Sequence, residues 1–361
     1  MKIMENPTIH YQMPTEGQEA SAEIGRTERS GSFVGVIALV ALFGVGIGAS
    51  WFYLVNAQNV GPVPPPHTQA AAAVMAVATN TAPVRDAFAD VALLANSAIV
   101  IDLTDNSVLY EKNADAQLPL ASLTKVPTAL VVSESLPRDT IITVPYDTAP
   151  VAGGARLLAG QRWALQDVVN FTLIGSSNEG ASMLASAASD AVHARYPQSP
   201  ADNATVWRMN DIARSLGLSE TYFLNPSGLD ESVTQAGSYG SARDMAKLFA
   251  YAASTSPEVF GATTLASMRL TSLDGHQVTP LNTDLALDAI PGIIMGKTGY
   301  TDLAGGNLAV VFNADGAHRV AIVVLHSTEE GRFDDMKALV KATTRALAHV
   351  SVNYPAKDGI Q

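Results

Sequence analysis

The 361-residue chain has no cysteine. That removes disulfides, thiolate-ligated zinc and thiol nucleophiles together. Basic residues are also scarce: 22 Lys and Arg stand against 34 Asp and Glu, a formal net charge of -12. Without a cationic surplus a chain cannot neutralise a phosphate backbone, so nucleic acid is excluded as a partner. The seven histidines stand singly, with none of the close spacing of a metal-binding helix. No metal and no cofactor are expected.

Charge is missing altogether from residues 33–55, "FVGVIALVALFGVGIGASWFYLV". At 1.5 Å rise per residue, these 23 uncharged, mostly apolar positions cross a hydrocarbon core of about 30 Å. Trp51, Phe52 and Tyr53 sit at one end, where an aromatic belt belongs. Arg26 and Arg29 precede the run and the next cation is Arg85, which places residues 1–32 in the cytoplasm and the rest outside. A cleaved signal peptide has a core of roughly 7–15 residues behind a short basic segment. The longer run and long leader here point to an uncleaved, single-pass anchor. Residues 56–87 are rich in Pro, Ala and Thr, and 56–84 carry no charge, as in a tether.

From residue 88 to 351 the pattern is that of a globular domain, followed by a tail over 352–361. "NSAIVIDLTDNSVLYEKN" predicts a β-hairpin turning at Thr104–Asn106. Apolar residues at helical spacing follow Ser122, then two helices broken at Gly175–Asn178, then another ended by Gly217. "GGNLAVVFNADGAHRVAIVVLHS" predicts a second hairpin with Asp315–Gly316 in its turn, and "FDDMKALVKATTRALAHV" an amphipathic closing helix. Strands at both ends of a helical centre predict an α+β fold: an antiparallel sheet whose first and last strands meet, flanked by helices.

Three short motifs occur in order: Ser122-x-x-Lys125, Ser176-Ser177-Asn178 and Lys297-Thr298-Gly299. Each alone is common. A serine hydroxyl needs a base to become a nucleophile, and a lysine three residues on shares its helix face. Lysine serves only when neutral, so its pKa must fall from about 10.4 by burial or by a second cation such as Lys297. Pro127, five residues beyond Ser122, is expected to delete a backbone donor there and bend the helix. Read locally, Ser176 and Asn178 are also compatible with helix capping.

Together the motifs resemble the active site of penicillin-binding proteins and serine β-lactamases, a β-lactamase/transpeptidase-like fold with a mostly helical subdomain. "PLASLTKVPTAL", "TYFLNPSGLD", "IPGIIMGKTGYTDLAGGNLAV" and "GRF" at 331–333 narrow the resemblance to low-molecular-mass D-alanyl-D-alanine carboxypeptidases. Glu179 stands where that family usually has Asp. The resemblance implies that Ser122 is the acyl-ester nucleophile, Lys125 its base, Ser176 a proton relay and Asn178 a holder of substrate amide and Lys125. It also implies that Lys297, Thr298, Gly299 and Arg332 bind substrate, with the amides of Ser122 and Tyr300 as oxyanion hole. The implied partners are a peptidoglycan stem peptide ending in D-Ala-D-Ala, and β-lactams as covalent inhibitors that mimic it. A D,D-endopeptidase needs the same residues and stays open. No E-x-x-L-N motif for a deacylating water lies between the second and third motifs, which disfavours a β-lactamase. The intact set disfavours an inactive wall-binding module.

Overall fold

In the computed structural model of the protein, residues 86–146 and 156–353 are described. The expected anchor at 33–55 and its tether lie outside them; no helix among the described residues is long and apolar enough to cross a membrane.

The first hairpin forms as expected: β1 is Ser97–Asp102 and β2 is Ser107–Lys112. Its turn is closed by short polar side chains. Asn106 takes a left-handed φ of 62°, and the carboxylates of Asp102 and Asp105 accept from the amides of Thr104 and Ser107. The C-terminal third supplies β3 (Ile293–Thr301), β4 (Gly305–Asn313) and β5 (Arg319–Ser327). In the β4–β5 turn, Asp315 accepts from the amides of Ala317 and His318, and Gly316 takes φ 86°.

The sheet order is β3-β4-β5-β1-β2, antiparallel throughout. First and last strands do meet, with Ser97 opposite Leu325 and Asp102 opposite Val320. All six residues of β1 are buried, because helices cover both faces of the sheet. One face, carrying Ile99, Ile101, Ala321 and Val323, packs on α5 (Ala242–Thr255) through Met245 and Phe249. The other, carrying Ala98, Val100, Ile322 and Val324, packs on α6 (Gly331–Asn353) through Phe333, Met336 and Leu339. Each of the larger of these side chains contributes about 1.5–3 kcal/mol when removed from water. Asp335 on α6 ties the sheet's entry to its exit by accepting from the amides of Leu94 and Ala95 and the Ser327 hydroxyl.

The helical region comprises α1 (Lys125–Ser135), α2 (Leu165–Ile174), α3 (Asn178–Arg195) and α4 (Ala204–Ser215). Helix α1 is buried from Lys125 to Val132 without a polar stripe, as a central helix must be. Gly217, at φ 66°, terminates α4.

Candidate active site

Ser122 does not lie in an α-helix. It sits in a 3-10 turn, Ala121–Thr124, entered through Ala121 at a left-handed φ of 49°. In this tighter winding residues i and i+3 eclipse, which brings Lys125 Nζ to 2.6 Å from Ser122 Oγ. The regular helix α1 starts only at Lys125, so Pro127 is its third residue. Amides of a helix's first turn have no obligatory intrahelical partner, so the expected penalty and bend do not arise.

Lys125 is fully buried. Its Nζ also lies 2.7 Å from Asn178 Oδ1 and 2.8 Å from the carbonyl of Ser227, both pure acceptors. A neutral amine carries two N–H groups and one lone pair. In that form the two acceptors take the hydrogens and the lone pair faces the Ser122 hydroxyl; in the ammonium form Nζ donates to all three. Burial first, and Lys297 second, push the Lys125 ammonium well below its ordinary pKa. The same three contacts would satisfy an ammonium, so it is the depressed pKa that selects the neutral form needed for a base.

The second motif divides its labour. Ser177, not Ser176 or Asn178, caps α3 by accepting from the amide of Gly180. Ser176, at φ 56°, is turned instead towards Lys297, whose Nζ donates to its hydroxyl at 2.8 Å. Such backbone strain concentrates at functional sites.

The third motif lies on β3, the sheet's edge strand. Lys297 is buried, and its pKa is pushed down to about 7, chiefly by burial, then by Arg332, with Asp284 pulling the other way. Thr298 Oγ1 lies 2.5 Å from Thr283 Oγ1. A side chain at Gly299 would stand 2.9 Å from the Leu120 carbonyl oxygen and 3.1 Å from the Ser122 amide nitrogen, so only glycine lets the strand approach the nucleophile. Arg332, at the start of α6, donates from Nη1 to the Gly299 carbonyl at 2.9 Å and lies over the Tyr300 ring. Burial lowers its pKa. Tyr300 itself is half exposed on the strand's outer edge.

Of the residues that support the site, Asn225 reads in the sequence as a loop organiser, whereas Asp230, Asn307 and Asp284 escaped the motif reading. Asn225 Oδ1 accepts from the amides of Ser227 and Gly228, shaping the loop whose Ser227 carbonyl holds Lys125. Asp230, just beyond, accepts from Thr301 Oγ1, linking that loop to the end of β3. Asn307 on β4 donates to the Pro119 carbonyl ahead of the nucleophile turn. Asp284 is buried near Lys297 and Arg332, with its carboxyl pushed up by burial. In the sequence these were turn residues or isolated polar residues without a helical or strand period.

Gly228 tests this scaffold. It has φ 76°, and a Cβ there would collide with the Ala121 carbonyl and Thr124 Oγ1. Gly228→Ala is expected to cost about 2–3 kcal/mol and to displace the nucleophile turn. Thermal denaturation and the rate of labelling by a fluorescent penicillin would both fall. Unchanged values would show that the loop does not support the turn.

A helix-flanked antiparallel sheet, with a Ser–Lys pair opening its central helix and Lys-Thr-Gly on the edge strand, defines the class of penicillin-binding and transpeptidase-like proteins. The family described as D-alanyl-D-alanine carboxypeptidase, peptidase S11, matches residues 79–329, and the chain belongs to it. A D-alanyl-D-alanine endopeptidase of Pseudomonas aeruginosa is 34% identical over 140 residues, 38% of this chain and 42% of that protein. A D-alanyl-D-alanine carboxypeptidase of Bacillus subtilis, DacF, is 29% identical over 248 residues, 66% of this chain and 59% of that protein. The chain thus spans less than two thirds of the length of either relative. Among solved structures, ampicillin-bound penicillin-binding protein D2 of Listeria monocytogenes is 29% identical with a TM-score of 0.56, covering 69% of this chain and 97% of that one.

Proposed function

We propose that this protein is a serine D,D-peptidase that removes the terminal D-alanine from peptidoglycan stem peptides through an acyl-enzyme at Ser122, and that penicillins acylate the same hydroxyl. The observation that carries this reading is the Lys125 amine, buried, held by two acceptors and 2.6 Å from Ser122 Oγ. Lys125 takes the hydroxyl proton as Oγ attacks the carbonyl of the penultimate D-alanine. The amides of Ser122 and Tyr300 receive the oxyanion. Ser176, bonded to Lys297, passes a proton to the departing amine, and free D-alanine leaves. Water then hydrolyses the ester. Asn178 holds both Lys125 and the substrate amide.

Lys297, Thr298 and Arg332 supply two cations and a hydroxyl for a free chain end, which favours a carboxypeptidase. The Pseudomonas relative keeps a D,D-endopeptidase as second reading, since it is named for that activity. We further propose that residues 33–55 anchor the chain in the cell membrane with the catalytic domain outside; protease treatment of intact spheroplasts would then degrade the domain and spare the N-terminal tail.

The test is release of D-alanine from a diacyl-D-Ala-D-Ala peptide; none released would sink the reading. Faster cleavage of a cross-linked dimer than of the free peptide would replace carboxypeptidase by endopeptidase. The pH profile carries a separate prediction. With a pKa of about 7, Lys297 is protonated below that pH and neutral above it in the free enzyme. A bound carboxylate favours the cation and must draw a proton in at higher pH. Above pH 7, kcat/KM for the carboxylate-ended peptide is expected to fall relative to that for its methyl ester. A ratio independent of pH would remove Lys297 from carboxylate recognition.

A further inference from the structure

Side chains pin residues 282–284 against the edge strand β3. Asn282 Nδ2 donates to the carbonyls of Thr263 and Leu265, and Thr263 Oγ1 in turn accepts from the Gly296 amide. Thr283 Oγ1 meets Thr298 Oγ1. Asp284 comes next; it is 6% exposed, and its Oδ1 accepts from the Ala286 amide at 2.8 Å. That bond closes an Asx turn, which an asparagine would close equally well. The turn does not explain the second oxygen. Oδ2 is shut off from solvent, has no hydrogen-bond partner, and lies 3.6 Å from where a Cβ on Gly296 would stand. Successive side chains of a strand point to opposite faces, so Oδ2 lies on the Gly296 side of β3 while Lys297 projects from the other.

Burying a carboxylate oxygen without a partner costs free energy. Burial pushes the Asp284 carboxyl up, while the Ala286 amide, Lys297, Arg332 and Lys337 pull it back. The three cations act across space, not by contact. The coupling is mutual: burial and Arg332 depress Lys297, and Asp284 raises it. The other charged groups around the site are Lys125 on α1, Lys337 on α6, and Glu329 and Glu330, which act on Arg332. Asp284 is the acid that acts on Lys297. With Lys125 neutral, the cations Lys297 and Arg332 stand against one buried carboxylate, and the substrate's chain end supplies a second. We propose that Asp284 is a positioning residue for carboxylate recognition: a fixed internal counter-charge that keeps Lys297 cationic and ready for the free chain end of the substrate. Its place across the strand matters. A carboxylate in contact with Lys297 would compete with the substrate, whereas Asp284 leaves the ammonium bonded to Ser176 Oγ and the Thr298 carbonyl. Between them lies protein instead of water, so the attraction is weakly screened. The proposal rests on the D,D-peptidase reading, in which Lys297 meets that chain end.

The experiment follows kcat/KM across neutral pH for a diacyl-D-Ala-D-Ala peptide and for its methyl ester. Taking the ratio cancels effects on Lys125 and Ser176, which both substrates share. Its midpoint then reports the protonation of Lys297 in the free enzyme. In wild type the midpoint is expected at a pH of about 7. Asp284→Asn keeps the turn and loses the charge, and its midpoint is expected to fall by about half a pH unit or more, the scale on which one buried charge acts. Asp284→Ser, smaller and also neutral, serves if the buried amide is not tolerated, and must shift the midpoint the same way. Asp284→Glu restores the charge and brings the midpoint back towards that of wild type. A merely structural role would lower the melting temperature and both rates together, leaving the midpoint where it was. An unmoved or raised midpoint in the neutral variants would overturn the proposal, as would a wild-type ratio independent of pH. A wild type that releases no D-alanine and takes up no penicillin would overturn the D,D-peptidase reading instead.

Discussion

Ser122→Ala leaves a folded domain that releases no D-alanine and takes up no penicillin. Among the described residues the only polar contact of the Ser122 hydroxyl is Lys125 Nζ at 2.6 Å, so the fold loses little it depends on. Alanine also fits the 3-10 turn. Removing a serine nucleophile lowers kcat by on the order of 10⁴-fold or more, leaving whatever binding and the oxyanion hole supply. Intact-mass spectrometry after exposure to benzylpenicillin checks the outcome directly. Wild type gains the mass of the penicilloyl group, and the variant gains none while melting at the wild-type temperature. A penicilloyl adduct on Ser122→Ala would place the nucleophile elsewhere, with Ser176 the next hydroxyl to examine.

Lys125→Met separates the base from the scaffold. Methionine matches the shape of the lysine stem and carries no titratable group. Loss of a general base is worth about 10²–10⁴-fold in the acylation rate. The rising limb of that rate with pH, produced as Lys125 loses its proton, disappears with it. Stability supplies an independent reading whose sign follows from the depressed pKa. The unfolded chain holds a proton on Lys125 up to its ordinary pKa, whereas the folded chain releases it at much lower pH. Unfolding therefore takes up a proton between those limits, and folded stability rises with pH there by up to about 1.4 kcal/mol per pH unit. Lys125→Met lacks this contribution, so its stability should climb less steeply above neutral pH. Chemical denaturation at a series of pH values measures the slope. An unchanged slope would mean that Lys125 is charged in the folded protein.

Much of this arrangement is legible in the chain. Both hairpins announce themselves through Asp and Asn at their turns, and the meeting of β1 with β5 follows from strands flanking a helical centre. The three motifs are visible because each is contiguous. Pro127 is misread because spacing alone cannot distinguish a 3-10 turn from the first turn of a helix, and the two place its missing donor differently. The loop from Asn225 to Asp230 shows its turn residues but not its task. The bond from Lys125 to the Ser227 carbonyl spans 102 positions, and no local pattern records it. Asp284 and Asn307 are hidden for the same reason: each is a single polar residue whose importance comes from what the fold sets beside it. Burial of Lys125 and Lys297, which moves their pKa values, is likewise a property of packing rather than of spacing.

The pairing of β1 with β5 also sets an order of events. Ser97 and Leu325 lie opposite one another in the sheet, and almost the whole domain separates them along the chain. At about 5–20 residues per second of synthesis, β1 waits on the order of ten seconds or longer for its partner. Until β5 arrives, the nascent chain has a five-stranded sheet with its middle missing, and neither α5 nor α6 has a complete surface to cover. Closure of such long-range pairings is slow, and the open state exposes apolar strand edges. The topology that assembles the site thus leaves the Ser122 turn without Lys297 and Arg332 until the last third of the chain has emerged.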